Sequence, residues 1–180
     1  MGHLPQGAPT SPMLANLVCV SLDSELQRLA GREGLIYTRY ADDMTFSGQL
    51  SDRTSVAKLI GEIFALVGKH GLVINPKKTS IAKNGARKIV TGLSIDGDEV
   101  RLPRSFKDKL RKDLYFLGKF GLDGHCTRIG QKNHLSYLLH LDGQIRYAIK
   151  VEPIVGGVYS KEFNRMFPDF SQLRQLIDLE

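Results

Sequence analysis

Apolar residues recur at helical spacing over two early stretches. Leu14, Leu17, Val18, Leu22, Leu26 and Leu29 form the first stripe, with Cys19 in the same apolar pattern as a core residue. Ser11 is a suitable N-cap, Pro12 a suitable first helical residue and Gly31 a suitable stop. Val56, Leu59, Ile60, Ile63, Phe64 and Val67 form the second stripe, capped by Ser51-Asp52 and ended by Gly71. Between them, Leu35-Ile36-Tyr37-Thr38-Arg39-Tyr40 and Met44-Thr45-Phe46-Ser47 read as strands, because aromatic and β-branched side chains suit a pleated surface. The gap between these two runs predicts a tight hairpin. Asn84-Gly85 and Asp96-Gly97 mark two further hairpins.

From Arg101 the pattern changes. Phe106, Leu110, Leu114 and Leu117 share one helical face, while Arg101, Arg104, Lys107, Lys109, Arg111 and Lys112 crowd the rest with Asp108 as the lone acid. Gly118 to Gly130 reads as a loop. Leu135, Leu138, Leu139, Ile145 and Ile149 predict another helix, interrupted near Asp142-Gly143, and Gly156-Gly157 and Pro168 separate two last helical stretches. The order predicts an α+β fold, helices packed on an antiparallel sheet, followed by a small helical bundle.

Composition adds bounds. With 180 residues, 42% hydrophobic and 24% charged, the chain can bury a real core, so wholesale disorder is excluded. It shows no transmembrane run and no signal-peptide pattern. Cys19 and Cys126 form neither a disulfide framework nor, with His125 and His134, a zinc pattern, which fits a cytoplasmic protein. A net charge of +6 leans towards a polyanionic partner.

The candidate chemistry lies at Tyr40-Ala41-Asp42-Asp43. Two adjacent carboxylates repel each other, and a divalent cation with a preference for hard oxygen ligands relieves that cost. A solvated acidic turn is the competing reading. Upstream, the Pro- and Gly-rich loop Leu4-Pro5-Gln6-Gly7-Ala8-Pro9-Thr10-Ser11-Pro12 feeds a helix N-terminus, suiting either a phosphate or ordinary capping.

This loop, its helix and Tyr-Ala-Asp-Asp, in that order and spacing, resemble the central palm of reverse transcriptases. Gly71-Leu72-Val73-Ile74-Asn75 with Lys77-Lys78-Thr79 resembles that family's lysine-bearing motif, and Val90-Thr91-Gly92 resembles a triplet of retron-type bacterial enzymes. The resemblance implies a partial palm over 1–102 and a helical thumb over 103–180, meeting near Pro103. It implies RNA-directed DNA synthesis with two Mg²⁺ ions, Asp42 and Asp43 being metal ligands. Gln6 and Gly7 would contact nucleotide and template, and Tyr40 the primer end. Lys78 would assist the leaving pyrophosphate, although its chemistry alone equally allows a solvated turn lysine. A charge run ordinarily means a solvated face; beside a palm, Arg101, Arg104, Lys107 and Arg111 would grip the backbone of a primer–template duplex.

Implied partners are a structured non-coding RNA, the RNA–DNA duplex, dNTPs and an effector protein, with no membrane, in anti-phage defence. The family's third aspartate and its fingers lie upstream of the Gln-Gly loop, so this chain is expected to be incomplete and inactive alone. Asp23 belongs to the helix pattern and is no substitute. Two other readings stay open: a non-catalytic RNA-binding module of the same fold, and a group II intron-type enzyme.

Overall fold

The computed structural model describes residue 5 and residues 7–50, 52–83 and 85–170. The chain divides into two compact units, residues 1–84 and 85–180.

In the first unit, α1 (Ser11–Arg32) leads into the hairpin β1 (Ile36–Tyr40) and β2 (Asp43–Ser47), followed by α2 (Arg53–Lys69) and a 3₁₀ turn, Pro76–Lys78. Leu22, Leu26, Leu29 and Ala30 of α1, Leu35, Tyr37, and Leu59, Ile63 and Val67 of α2 make its core. The α2 cap is as expected: the Asp52 carboxylate accepts from the Ser55 amide at 2.8 Å and from its hydroxyl at 2.9 Å. Helix α1 starts differently. Ser11 is already helical, and its hydroxyl turns back to donate to the Pro5 carbonyl at 2.7 Å.

The α1 stripe is only half core. Leu14, Leu17 and Val18 are exposed, Val18 to 72%, and Cys19 is only partly buried. With two strands in the sheet, the described residues of this unit cover α1 only from Leu22 onward.

Helices α1 and α2 end alike. Leu35 N–H reaches Ala30 O and Gly34 N–H reaches Gly31 O; Leu72 reaches Val67 and Gly71 reaches Gly68 in the same way. Gly34 (φ 68°) and Gly71 (φ 73°) take the left-handed conformation this ending requires. The first stop is therefore Gly34, not Gly31. The hairpin expected at Asn84-Gly85 does not form among the described residues, since no strand lies between Gly71 and residue 83, and Asn84 lies outside the described residues. Val73 is 95% exposed while Ile74 packs against the core of this unit, and the Asn75 side chain caps the 3₁₀ turn.

The second unit opens with β3 (Ile89–Val90) and β4 (Leu93–Ser94), then α3 (Arg104–Ile129), α4 (His134–Val151) and α5 (Pro153–Met166). Thr91 (φ 47°) and Gly92 (φ 83°) join β3 to β4, so the Val-Thr-Gly triplet is the hairpin corner. A bridge between Ser94 and Arg101 encloses Asp96-Gly97 in a second reversal, as expected. Leu102, Leu110, Leu114, Leu117, Cys126, Leu141, Ile145 and Phe163 anchor the core of the bundle.

Three glycine-based expectations fail here. Gly118 to Ile129 is helix, kinked at Gly121 (φ 68°, ψ 174°) and ended by Gly130, because Leu117 and Cys126 are both buried in the bundle. Asp142-Gly143 does not interrupt α4: Leu141 and Ile145 are buried and Asp142 accepts from Arg146 one turn on at 2.8 Å. Gly156-Gly157 lies inside α5, and the break falls at Glu152-Pro153. The last stretch after Pro168 lies largely outside the described residues. The architecture is thus mixed, helices with two small antiparallel sheets.

Candidate nucleotidyl-transfer hairpin and basic cleft

The β1–β2 hairpin pairs Ile36 with Ser47 and so on to Tyr40 with Asp43, leaving Ala41-Asp42 as the turn. Ala41 takes φ 52°, an unfavourable conformation for an L-residue, so the surroundings must hold the turn in place. Arg39 does so. Its Nη1 donates to the Ala41 carbonyl at 2.8 Å and to Asn16 Oδ1 of α1 at 3.0 Å. Its Nε and Nη2 grip Asp23 of α1 at 2.8 and 2.6 Å. The Tyr37 hydroxyl donates to the same carboxylate at 2.7 Å.

Electrostatics follow from this cluster. The Arg39 hydrogen bond holds the Asp23 carboxyl below its usual range, and Asp23 in turn raises Arg39. Burial, then the neighbouring carboxylate, push Tyr37 up. Asp23 is therefore spent on positioning the hairpin. Sequence reasoning missed Arg39 and Asn16, whose partners are 16 and 23 residues away.

Asp42 and Asp43 are both exposed, and neither carboxylate has a hydrogen bond or ion pair among the described residues. Tyr40, on the same hairpin, is 72% exposed. Among the described residues no three His, Cys, Asp or Glu side chains gather into a complete metal shell. Two uncommitted carboxylates therefore fit a divalent cation as part of a hard-oxygen shell, with other donors required to complete it.

The other predicted residues are placed as follows. Gly7 (φ 84°) lies in the loop before α1, and Gln6 lies outside the described residues. Asn16 is about 8 Å along the helix from the start of α1 at 1.5 Å per residue. The Arg39–Asn16 bond thus ties the hairpin corner near the end of α1 that the loop feeds. Lys78 is exposed on the 3₁₀ turn, where the Asn75 carboxamide accepts from the Lys77 amide at 3.0 Å.

In the second unit, Arg87, Ser94, Arg101, Arg104, Lys107 and Arg111 line a cleft of about 440 Å³. Asp108 bridges Arg104 (3.5 Å) and Arg111 (3.2 Å), and Arg111 also donates to the Tyr159 hydroxyl at 3.3 Å. Lys107 is half-buried and turned to Glu152, which also accepts from the Leu102 amide at 2.8 Å. Four cationic side chains are left more exposed to solvent: Arg87, Arg101, Arg104 and Arg111. Arg87 was not singled out from the sequence; the signal was its place in the Ala86-Arg87-Lys88 run beside the Val-Thr-Gly corner. No helix of the described residues is long and apolar enough to cross a membrane.

Residues 2–137, which include both hairpins and all of α3, match the family of reverse transcriptases (RNA-dependent DNA polymerases). The retron Ec86 reverse transcriptase of Escherichia coli is 40% identical over 160 residues, covering 85% of this chain and 48% of that protein. The retron Mx162 reverse transcriptase of Myxococcus xanthus is 40% identical over 153 residues, 77% of this chain and 31% of that protein. The retron Ec73 reverse transcriptase of Escherichia coli is 34% identical over 181 residues, 96% of this chain and 52% of that protein. The chain thus spans about half or less of the length of these relatives. With an aspartate pair on a braced hairpin and this family match across most of its length, the chain belongs to the reverse transcriptases and is of the retron type.

Proposed function

We propose that this chain supplies part of the palm (1–102) and the thumb (103–180) of a retron-type RNA-directed DNA polymerase. The observation that carries the reading is the hairpin tip: two exposed carboxylates without partners among the described residues, on a strained corner that Arg39 fastens to α1. Such bracing is what positioning a reacting group requires. Asp42 and Asp43 would hold Mg²⁺, two ions in the complete enzyme. When bound, Mg²⁺ supplies activation of the primer 3′-hydroxyl and charge neutralisation at the leaving oxygen.

This chain's own residues do the rest. Tyr40 presents a ring to the primer end, Gln6 and Gly7 orient nucleotide and template, and Lys78 offers a proton or a charge to the pyrophosphate. Arg101, Arg104 and Arg111 neutralise backbone phosphates, while Lys107, paired with Glu152, stiffens the start of α3. The partners would be a structured non-coding RNA, its RNA–DNA product, dNTPs and an effector protein, in cytoplasmic defence against phage.

Primer extension on a structured RNA template with Mg²⁺ and dNTPs tests this. The 180-residue chain alone should make no DNA, since among the described residues no third acidic side chain joins Asp42 and Asp43. Adding the upstream portion of a retron reverse transcriptase in trans should give synthesis that Asp42→Asn abolishes. Robust synthesis by the chain alone, or synthesis indifferent to Asp42→Asn, overturns the reading. Salt-sensitive RNA binding without rescue in trans would favour a non-catalytic RNA-binding module.

A further inference from the structure

The outer face of α3 carries a second feature beyond the basic cleft. Arg104, Asp108, Arg111, Tyr115 and Lys119 follow one another at three- and four-residue spacing, so they lie along one side of the helix. From Arg104 to Lys119 that side runs about 22 Å. Its far end is aromatic and cationic.

Tyr115 is 59% exposed and packs edge-on against Phe116, with centroids 5.3 Å apart. Phe116 stacks on Phe120 at 5.7 Å and 11° between planes. The Arg128 guanidinium lies 3.9 Å above the Phe120 ring, and Lys119 Nζ lies 5.3 Å from Phe120 and 5.9 Å from Tyr115.

The array is backed by a fixed surface. Buried His125 stacks on Phe116 at 6.3 Å and shares a 2.9 Å hydrogen bond with the Tyr137 hydroxyl of α4. The kink at Gly121 lets the helix return Arg128 to Phe120. Lys112, Lys119 and Arg128 are exposed and have no ion pair among the described residues. Of the acids near them in sequence, Asp113 is half-buried next to Lys112, and Asp123 is exposed and faces His134 at 3.7 Å.

We propose that this end of α3 is a stacking platform for unpaired nucleotides of RNA. Bases within a duplex already stack on each other and offer no free face, whereas splayed bases stack on aromatic rings and guanidinium planes. Lys112 and Lys119 would meet the phosphates on either side. Charge selects this occupant: Lys112, Lys119 and Arg128, exposed around the open Tyr115 ring and the partly covered Phe116 and Phe120, complement a polyanion that carries flat apolar groups. The proposal rests on the nucleic-acid reading of the neighbouring cleft and extends it from duplex backbone to looped RNA.

The test is fluorescence-anisotropy binding by the full 180-residue chain, with an oligouridylate of about a dozen nucleotides and an RNA duplex of similar length, across a salt series. Tyr115→Ala should weaken the single strand about tenfold, leave the duplex within about twofold, and keep the salt slope, while Tyr115→Phe restores binding. Arg104→Gln with Arg111→Gln should weaken both ligands and flatten the salt slope. If Tyr115→Ala binds the single strand like the parent, or loses both ligands equally, the platform is overturned and the cleft reading survives. If polyglutamate displaces the oligouridylate as well as RNA does, the patch recognises acid in general and the platform is again overturned. A parent chain that binds neither RNA at low salt overturns both.

Discussion

Arg39 and Asp23 form a two-pronged ion pair, Nε to Oδ1 at 2.8 Å and Nη2 to Oδ2 at 2.6 Å, fastening the β1–β2 hairpin to α1. The same guanidinium holds the Ala41 carbonyl, so one side chain sets both the hairpin's angle and its corner. A planar fork of donors is what makes this achievable; lysine could not replace it.

Asp23→Asn should therefore destabilise the chain by about 1–3 kcal/mol at neutral pH. The Asp23 carboxyl is held below its unfolded value of 3.8 by Arg39. Its contribution is then complete above that value and disappears as pH falls through the lowered folded one. Urea denaturation at neutral pH and near pH 3 checks the sign: the parent should lose more stability on acidification than Asp23→Asn does. Equal losses would mean the pair adds nothing.

Asp42→Asn with Asp43→Asn should behave oppositely. Both side chains are exposed and lack partners among the described residues, so without Mg²⁺ the stability should stay within about 0.5 kcal/mol of the parent or rise slightly. Loss of metal charge at the reacting centre, several kcal/mol, should cut the trans-complemented DNA synthesis on the order of a thousandfold. Denaturation curves recorded with and without Mg²⁺ give a second reading: only the parent should be stabilised by the ion.

Gly156 and Gly157 are neighbours with different tasks. A Cβ at Gly156 would sit 2.2 Å from Ile149 N and 2.5 Å from Ala148 C, which are α4 backbone atoms, while one at Gly157 meets nothing within 4 Å. Gly156→Ala should cost about 2 kcal/mol or more by forcing α4 and α5 apart. Gly157→Ala should stabilise by about 0.5–1 kcal/mol through helix propensity. Thermal melts of the two variants should move in opposite directions.

Thr91 holds φ 47° at the β3–β4 corner, where a β-branched residue is strained. Its hydroxyl donates to the Val90 carbonyl at 2.8 Å, a partial local compensation. Thr91→Asn should raise stability by about 0.5–1 kcal/mol, since asparagine tolerates this region better. Guanidinium denaturation reads the change; an equal or lower midpoint would show that the Thr91 hydroxyl bond outweighs the strain.

Local signals were legible wherever neighbours in sequence carry the physics. The short gap between Tyr40 and Met44 announced a tight hairpin, because a few residues between two strand-like runs leave the chain no other connection; that Asp43 joins the second strand opposite Tyr40 only the structure shows. Asp52 announced α2, because a cap acts within three residues. The aspartate pair and the basic start of α3 were likewise visible in the order of residues. The Val-Thr-Gly motif was visible too, though not that it forms the hairpin corner.

What the chain's order could not decide was which glycines would break helices and which apolar residues would find cover. A glycine costs a helix about 1 kcal/mol. Burying a side chain such as Leu141, Ile145 or Phe163 returns about 1.5–3 kcal/mol. Only the packing of α3, α4 and α5 reveals that the second quantity applies around Gly118–Gly130, Asp142-Gly143 and Gly156-Gly157. The same holds in reverse for Leu14, Leu17 and Val18, which have helical spacing but no covering layer among the described residues. Arg39 belongs to this class as well: its meaning depends on Asp23 and Asn16, brought within hydrogen-bond reach only when the hairpin folds back onto α1.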